Sequence, residues 1–438
     1  MLQALEQAAR AAIDLAVQAG AQDVWTWASR ERRVSFTYRD ACLEEAREST
    51  SRVLEIRLFH EGRYAVHTTT DLRPERLRRF VAASVALTKL LEADADRRIT
   101  DPALFAALPA GDLELVDAAI DARTAAAREE WCAAATAPAK EHRRLVSVTA
   151  FAEEGHALGA SVSSNGFLGH WDRTSIWGGC AVTLRDEGDR RAQSGHWAGG
   201  PRLVDLPAAA EIGELALSRT AARLGEVKGP TARLPVVVEN RAASHLLQQL
   251  LGSATARRVH RKESLYEGKL GQRLFSELLT VIDDPLVPHG LLSRHFDAEG
   301  IAARSLPIID GGVLANLYVD TYYGRKLHLD PTTGSPSNRV VGAGSKPTAA
   351  LIADVGNGLL VTEWLGGNSD GTTGDFSLGC KGHLITGGEV GAPVTGMNLA
   401  GNFLSLFSRL VALGNDPWPY TSIRSPTLVF DDIQLSGA

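Results

Sequence analysis

Cysteine is scarce: four in 438 residues, at Cys42, Cys132, Cys180 and Cys380, with no C-x-x-C pair. A disulfide framework or a zinc ribbon needs closer or paired spacing, so scattered reduced thiols and a cytoplasmic compartment are expected. Basic excess is also missing. Forty-six Lys and Arg face 52 Asp and Glu, for a formal charge of −6, and no basic block stands out. That excludes a duplex-reading surface and a membrane-surface patch, both of which rest on clustered positive charge. No window reaches about 18 uninterrupted apolar residues, so no spanning helix is expected. In the first twenty residues Glu6, Arg10 and Asp14 interrupt the apolar run, which excludes the apolar stretch of a signal peptide. No internal repeat and no low-complexity run appears, and none of the twelve histidines falls in an H-x-x-x-H pair.

What is present is ordinary globular material: 44% hydrophobic residues and 42 glycines spread without a collagen period. At about 100–200 residues per domain the length allows two to four domains. Leu2, Leu5, Ala9, Ala12, Ile13 and Ala16 recur at helical spacing and predict an amphipathic helix ending at Gly20. Val24–Tyr38 alternates as a strand, and Ala41–Ser51 has charged, helical composition. Val53–Thr69 reads as two strands joined at Glu61-Gly62. Asp71 is the expected N-cap of a helix Glu75–Leu91 opened by Pro74, and an Ala-rich helix is predicted over Asp112–Ala135. From Leu145 to about Trp197 the texture is strands and turns: Val146–Ala152, Gly159–Ser163, then Asn165-Gly166 as a hairpin turn. Glu211–Leu224 is a further amphipathic helix.

Gly225–Pro230 is the expected boundary, dividing the chain into domains 1–228 and 229–438. Beyond the strand Leu234–Glu239, helices are predicted only at Ala242–Leu251 and Asn402–Leu413. Between them short strands recur at Ile301–Ile309, Val313–Val319, Gly358–Leu365, Lys381–Ile385 and Glu389–Val394. Turn signals every 8–12 residues imply a closed or strongly curved antiparallel sheet.

Several motif matches fail on their surroundings. His60-Glu61 with His67 imitates a zinc helix, but two ligands on one helix face need i and i+4, and the segment reads as strand. Gly367-Asn368-Ser369-Asp370-Gly371 fits G-x-S-x-G, yet loop composition follows where the nucleophile elbow needs a helix. Gly342-Ala343-Gly344 lacks the third glycine and helix of a dinucleotide fingerprint. His289 and His295 flank a loop. His245 lies on the helix that opens the second domain, with Glu239, six residues back, as the nearest carboxylate. Composition and spacing stop at a two-domain α+β protein.

A chain of segments in the second half carries more. Arg233–Glu239 is followed by Arg261-Lys262-Glu263-Ser264, Phe296-Asp297-Ala298-Glu299-Gly300 and Ile308–Leu314. Then come Gly374-Asp375-Phe376-Ser377, Gly379-Cys380-Lys381-Gly382, Met397–Asn402 and Gly414-Asn415-Asp416. In the first half, Glu61–Arg63, Thr69–Leu72 and Ser164-Asn165-Gly166-Phe167 add to it. In this order the segments resemble the TldD/PmbA family of metallopeptidases, and its PmbA/TldE branch in particular. The resemblance implies an α+β fold: an N-terminal α/β domain, then a C-terminal antiparallel, barrel-like β-rich domain. It also implies a dimer enclosing a peptide cleft, in which a TldD-type subunit binds zinc through an H-E-x-x-x-H helix and a distant cysteine.

This chain departs from that zinc pattern. Its corresponding helix, Glu239–Leu250, holds one histidine, and Gly414–Ser425 holds no cysteine. Zinc hydrolysis needs about three protein ligands, an open position for water and a base. The reading is therefore a metal-free TldE/PmbA-like subunit with no catalytic and no metal residue of its own, zinc being expected in a TldD-type partner. Small or unfolded peptides would be the substrate, with neither nucleic acid nor membrane as partner. Gly374, Asp375, Phe376, Ser377, Gly379, Cys380, Gly382 and His245 are the cleft candidates. A peptide is expected to add as a strand near Thr372–Gly382. The alternatives are a peptide-binding or scaffold homodimer, and an enzyme of altered chemistry using Cys380 or His245.

Overall fold

The computed structural model describes residues 1–437. Helix α1 (Leu2–Gln18) buries Leu5, Ala9, Ala12, Ile13 and Ala16, the 3–4 spacing of one helical face. That face packs on a six-stranded sheet of β1 (Asp23–Arg39), β2 (Cys42–His60), β3 (Arg63–Thr69), β4 (Leu145–Ser163), β5 (Leu168–Arg185) and β6 (Arg191–Gly200). The order is β3-β2-β1-β4-β5-β6, antiparallel throughout. Antiparallel neighbours need no crossover helices, so helices collect on one face. These are α1, α2 (Pro74–Thr88), α4 (Ala125–Lys140) and α5 (Ala209–Ala221), with the short α3 (Ala118–Ala122) leading into α4. The period of two sends Trp25 and Trp27 to the opposite face, where they meet Phe167, Trp171 and Phe296. Phe296 comes from the second unit, so this aromatic cluster joins the two halves.

The second unit takes in β7 (Val227–Lys228), just ahead of the expected boundary at 229, and β8 (Ala232–Val238). Its helices are α6 (Asn240–Leu251), α7 (Ala256–His260), α8 (Thr321–Leu327), α9 (Thr348–Val355) and α10 (Phe403–Ser408). A smaller sheet, ordered β11-β10-β9-β12-β17, contains β9 (Val281–Asp284), β10 (Leu306–Asp310), β11 (Val313–Leu314), β12 (Asn338–Val341) and β17 (Ile423–Arg424). The larger sheet adds β13 (Gly358–Ser369), β14 (Asp375–Thr386), β15 (Glu389–Asn402), β16 (Leu410–Leu413) and β18 (Leu428–Ser436), in the order β16-β18-β8-β13-β14-β15-β7. Because β18 pairs with both β8 and β15, strands β18, β8, β13, β14 and β15 close into a five-stranded barrel. Closure removes the unpaired edges of an open sheet. The barrel and α6 bury one core, including Val236, Val238, Leu246, Leu250, Leu359, Leu378, Met397 and Phe430. The architecture is mixed α+β. It is not wholly antiparallel, since β8 runs parallel to β13 and β7 to β15.

Besides the short helices α7, α8 and α9 and the strand expected over Val313–Val319, which covers only Val313–Leu314, four segments differ from the sequence expectation. Ala41–Ser51 is not helix: Ala41 belongs to a turn, and Cys42–Ser51 is the exposed outer part of β2, paired with β1 through a bulge at Thr37/Tyr38. Its charges are solvated edge side chains, which imitate the outer face of a helix. The turn before it places Asp40 and Ala41 at φ 47° and 70°. A two-residue turn of that kind favours Asn-Gly, and here Asp40 compensates by accepting from the Val148 amide at 2.8 Å and the Ser147 hydroxyl at 3.1 Å. Asp71 does not cap α2; Arg73 occupies that position and Asp71 binds the Arg73 side chain. The Asp112–Ala135 helix is broken in two by caps at Asp117 and Thr124. Asn402–Leu413 is helical only to Ser408, and Leu410–Leu413 turns into a strand on β18.

Candidate functional site

The candidate residues of β14 alternate between two environments. Phe376, Cys380 and Gly382 are buried in the barrel, and Phe376 stacks on Phe403 with ring centroids 4.5 Å apart. Burial pushes the Cys380 thiol up to about 12. Asp375 and Ser377 are exposed, and Gly379 is half-buried. Asparagines of β15 occupy both exposed side chains: Asn402 Nδ2 donates to Asp375 Oδ1 at 2.9 Å, and Asn398 Nδ2 to Ser377 Oγ at 2.8 Å. Gly374 sits in a turn at φ 85°, a region open to glycine. At Gly382 a Cβ would lie 1.7 Å from the Leu360 carbonyl oxygen, so only glycine fits the strand crossing. β14 is paired with β13 on one side and β15 on the other. Strand addition needs a vacant ladder edge, and this segment has none. The expected mode of peptide capture on Thr372–Gly382 is thus closed by the barrel itself.

His245 lies one strand away. Its ring packs on Trp364, centroids 6.3 Å apart, and Trp364 is the cross-strand partner of Cys380. Burial lowers the His245 pKa. The residues one turn away on its helix face are Arg241 and Gln249, neither a zinc ligand. Among the described residues no group of three or more His, Cys, Asp or Glu converges on a point. The donor set at α6 does not fit a zinc ion. Glu239, which precedes the helix, is engaged elsewhere: Arg219 of α5 grips both its oxygens, at 2.6 and 2.7 Å.

A cleft lies nearby, between the sheet of the first unit and the second unit. One part, about 750 Å³, is lined by Phe151, Trp177, Trp197, Leu291, Leu292 and Tyr420 among others. A second part, about 530 Å³, shares Phe151 and Trp197 with the first and adds His196, Arg219, Arg241, Glu363 and Lys381. The larger part is mainly apolar and aromatic, and the smaller is charged. The strand β6 supplies His196 and Trp197. Its outer side is covered: Arg223 Nη1 donates to the Gln193 carbonyl, and Arg241 donates to that of Gly195 at 3.4 Å. Burial, then the Arg241 and Arg219 charges, holds the His196 pKa down to about 4, so its ring is neutral at pH 7.

Of the sequence candidates, β14 and His245 sit together on the barrel, but none lines this cleft. Arg241, His196, Phe151, Trp177, Trp197 and Tyr420 were missed. The one available signal was Arg241, a charge two residues past Glu239 in the first turn of α6.

Residues 110–224 match the family profile described as the PmbA/TldA metallopeptidase central domain, and residues 231–437 match that of the C-terminal domain. Fold and match together define a metallopeptidase-family protein. The chain belongs to the PmbA/TldD family, on its PmbA/TldE side. Metalloprotease PmbA of Escherichia coli O157:H7 is 28% identical over 443 residues, covering 99% of this chain and 96% of that protein. A crystal structure from Bacteroides thetaiotaomicron, described as a candidate modulator of DNA gyrase, superposes with a TM-score of 0.95 at 32% identity and covers 99% of both chains. TldE of Thermococcus kodakarensis has the same fold, with a TM-score of 0.86 at 16% identity over 98% of this chain and 100% of that one. No helix among the described residues is long and apolar enough to cross a membrane.

Proposed function

We propose that this chain is the metal-free, TldE/PmbA-like subunit of a cytoplasmic TldD/TldE-type zinc metallopeptidase, acting on small or unfolded peptides. The observation that carries the reading is helix α6, where family membership meets a single histidine packed on Trp364 and, among the described residues, no group of three or more metal-ligating side chains. A peptide-holding role draws support from the interdomain cleft, whose aromatic part suits apolar side chains and whose charged part suits a polar or ionised end. Zinc and the water it activates then belong to a TldD-type partner.

The test is to purify the chain alone, its TldD-type partner alone, and the two together. Metal analysis is expected to find zinc with the partner only, and peptide cleavage to appear only on mixing. Zinc near one equivalent in this chain, or cleavage by it alone, removes the reading. Peptide binding by a homodimer, with no effect on a partner's activity, replaces it with the scaffold alternative. Gly379→Val tests the barrel surface. Its Cβ would lie 3.3 Å from the Leu365 Cβ, a tight contact, so the melting temperature of the variant is measured alongside cleavage. Unchanged cleavage by the mixed proteins agrees with the separation of Gly379 from the cleft, and lost cleavage in a folded variant gives that surface a role.

A further inference from the structure

The charges around the smaller part of the cleft do not balance. Arg219 is matched by Glu239 at 2.6 Å and Arg223 by Glu226 at 2.7 Å. Glu363 takes a second contact from Arg223 at 2.8 Å and one from Lys381 at 3.6 Å. Four cations thus meet three carboxylates, and Arg241 is the one left without an ion pair among the described residues. Its partners are an uncharged carbonyl, an uncharged imidazole and an indole face. Nη1 and Nη2 share the Gly195 oxygen at 3.4 Å, Nη1 reaches His196 Nδ1 at 3.3 Å, and the guanidinium sits 5.2 Å from the Trp418 ring centre. All these hydrogen bonds are long against the usual range of about 2.7–3.2 Å, so the planar fork keeps donors to spare. The Trp418 indole N–H is buried with no acceptor. A half-buried guanidinium in that position attracts one anion of single charge.

We propose that Arg241 anchors a carboxylate carried by a peptide in the interdomain cleft, a step that rests on the peptide-holding role proposed above. A carboxylate matches the guanidinium fork with two coplanar oxygens and supplies the single missing negative charge. With His196 accepting through Nδ1, its Nε2 carries the proton and remains a donor. The rest of the peptide then runs past the shared Phe151 and Trp197 toward Trp177 and Tyr420. The carboxylate has two sources, a peptide's C-terminal end or an Asp or Glu side chain.

The experiment is calorimetric titration of the full chain with acetyl-Leu-Ala-Phe as the free acid, the same peptide as its carboxamide, and an amidated analogue with Glu in place of Phe. The free acid is expected to bind about 10- to 100-fold tighter than the amide, the range of a charge-assisted hydrogen-bonded pair. Arg241→Gln should erase that preference and Arg241→Lys should keep part of it, both at unchanged melting temperature. Tight binding of the amidated Glu peptide assigns the anchor to acidic side chains, and its failure to bind assigns it to the chain end. Equal binding of acid and amide, or a preference that survives Arg241→Gln, overturns the anchor and leaves a peptide cleft standing. If no peptide binds, the peptide-holding role falls and the anchor with it.

Discussion

Arg219 and Glu239 face each other across the junction of the two units, with Nη1–Oε1 at 2.6 Å and Nη2–Oε2 at 2.7 Å. Arg219 is in the last turn of α5 and Glu239 stands at the N-cap of α6. The two-pronged pair therefore fixes the angle between the last helix of the first unit and the first helix of the second. Both side chains are about a fifth to a quarter exposed, so solvent weakens the pair only in part. A double-mutant cycle of Arg219→Ala and Glu239→Ala is expected to give a coupling of about 1–3 kcal/mol in urea unfolding. A coupling near zero removes the junction role.

A second ion cluster is deeper. Glu154 of β4 is 1% exposed at its side chain and receives Arg123 Nη1 at 2.5 Å and Arg128 Nη2 at 2.5 Å. Arg123 has an extended backbone at the C-cap of α3, the point at which α3 ends and the Thr124 cap opens α4. Glu154→Gln leaves two buried guanidinium groups without a counter-charge and is expected to cost about 3–5 kcal/mol in denaturant titration. Replacing all three residues by Met and Leu should recover most of that loss, because the pair's Coulomb energy mostly offsets desolvation.

His196 gives a pH signature. Its folded pKa is depressed from 6.5 to about 4, by burial first and then by Arg241 and Arg219. Between those values the unfolded chain binds a proton that the folded chain refuses, so stability falls as pH drops from about 6.5 to about 4 and this contribution levels off below. His196→Gln should flatten that part of the stability-against-pH curve and leave the region above pH 7 unchanged. An identical slope in the variant excludes His196 as the cause.

Thiol reactivity separates the cysteines. Burial pushes Cys132 up to about 11, and Cys180 and Cys380 up to about 12. Cys42 is exposed at the start of β2. Since the thiolate is the reactive form, iodoacetamide on the folded protein is expected to add one label, at Cys42, by mass spectrometry. Labelling of Cys380 under native conditions would revive it as a nucleophile.

The period-3.6 pattern made α1 and α6 legible, because each has one buried face, and β1 was legible from the alternation that runs through Val34, Phe36 and Tyr38. The Asn165-Gly166 turn was legible for the same reason: its residues suit the conformation locally. Asp40-Ala41 was not, since its strained φ angles are held by Val148 and Ser147, more than 100 residues away. The helices α7, α8 and α9 were missed because stretches of five to eight residues carry too little periodicity. Family order in the second half located β14 but not its pairing on both sides, which is a property of barrel closure. The cleft escaped for a related cause. His196, Arg241 and Tyr420 are scattered along the chain and meet only after both units fold.

The ring of strands also sets a timetable. β8 at Ala232–Val238 cannot acquire its antiparallel neighbour until Leu428–Leu435 exists, roughly 200 residues later in synthesis. At about 5–20 residues per second a ribosome needs on the order of 10–40 s to deliver it. Through that interval nascent β8 holds Val236, Val237 and Val238, all destined to be fully covered, without the strand that completes the ring. Chaperone capture during translation should therefore peak on chains arrested between β8 and β18 and vanish once β18 has emerged.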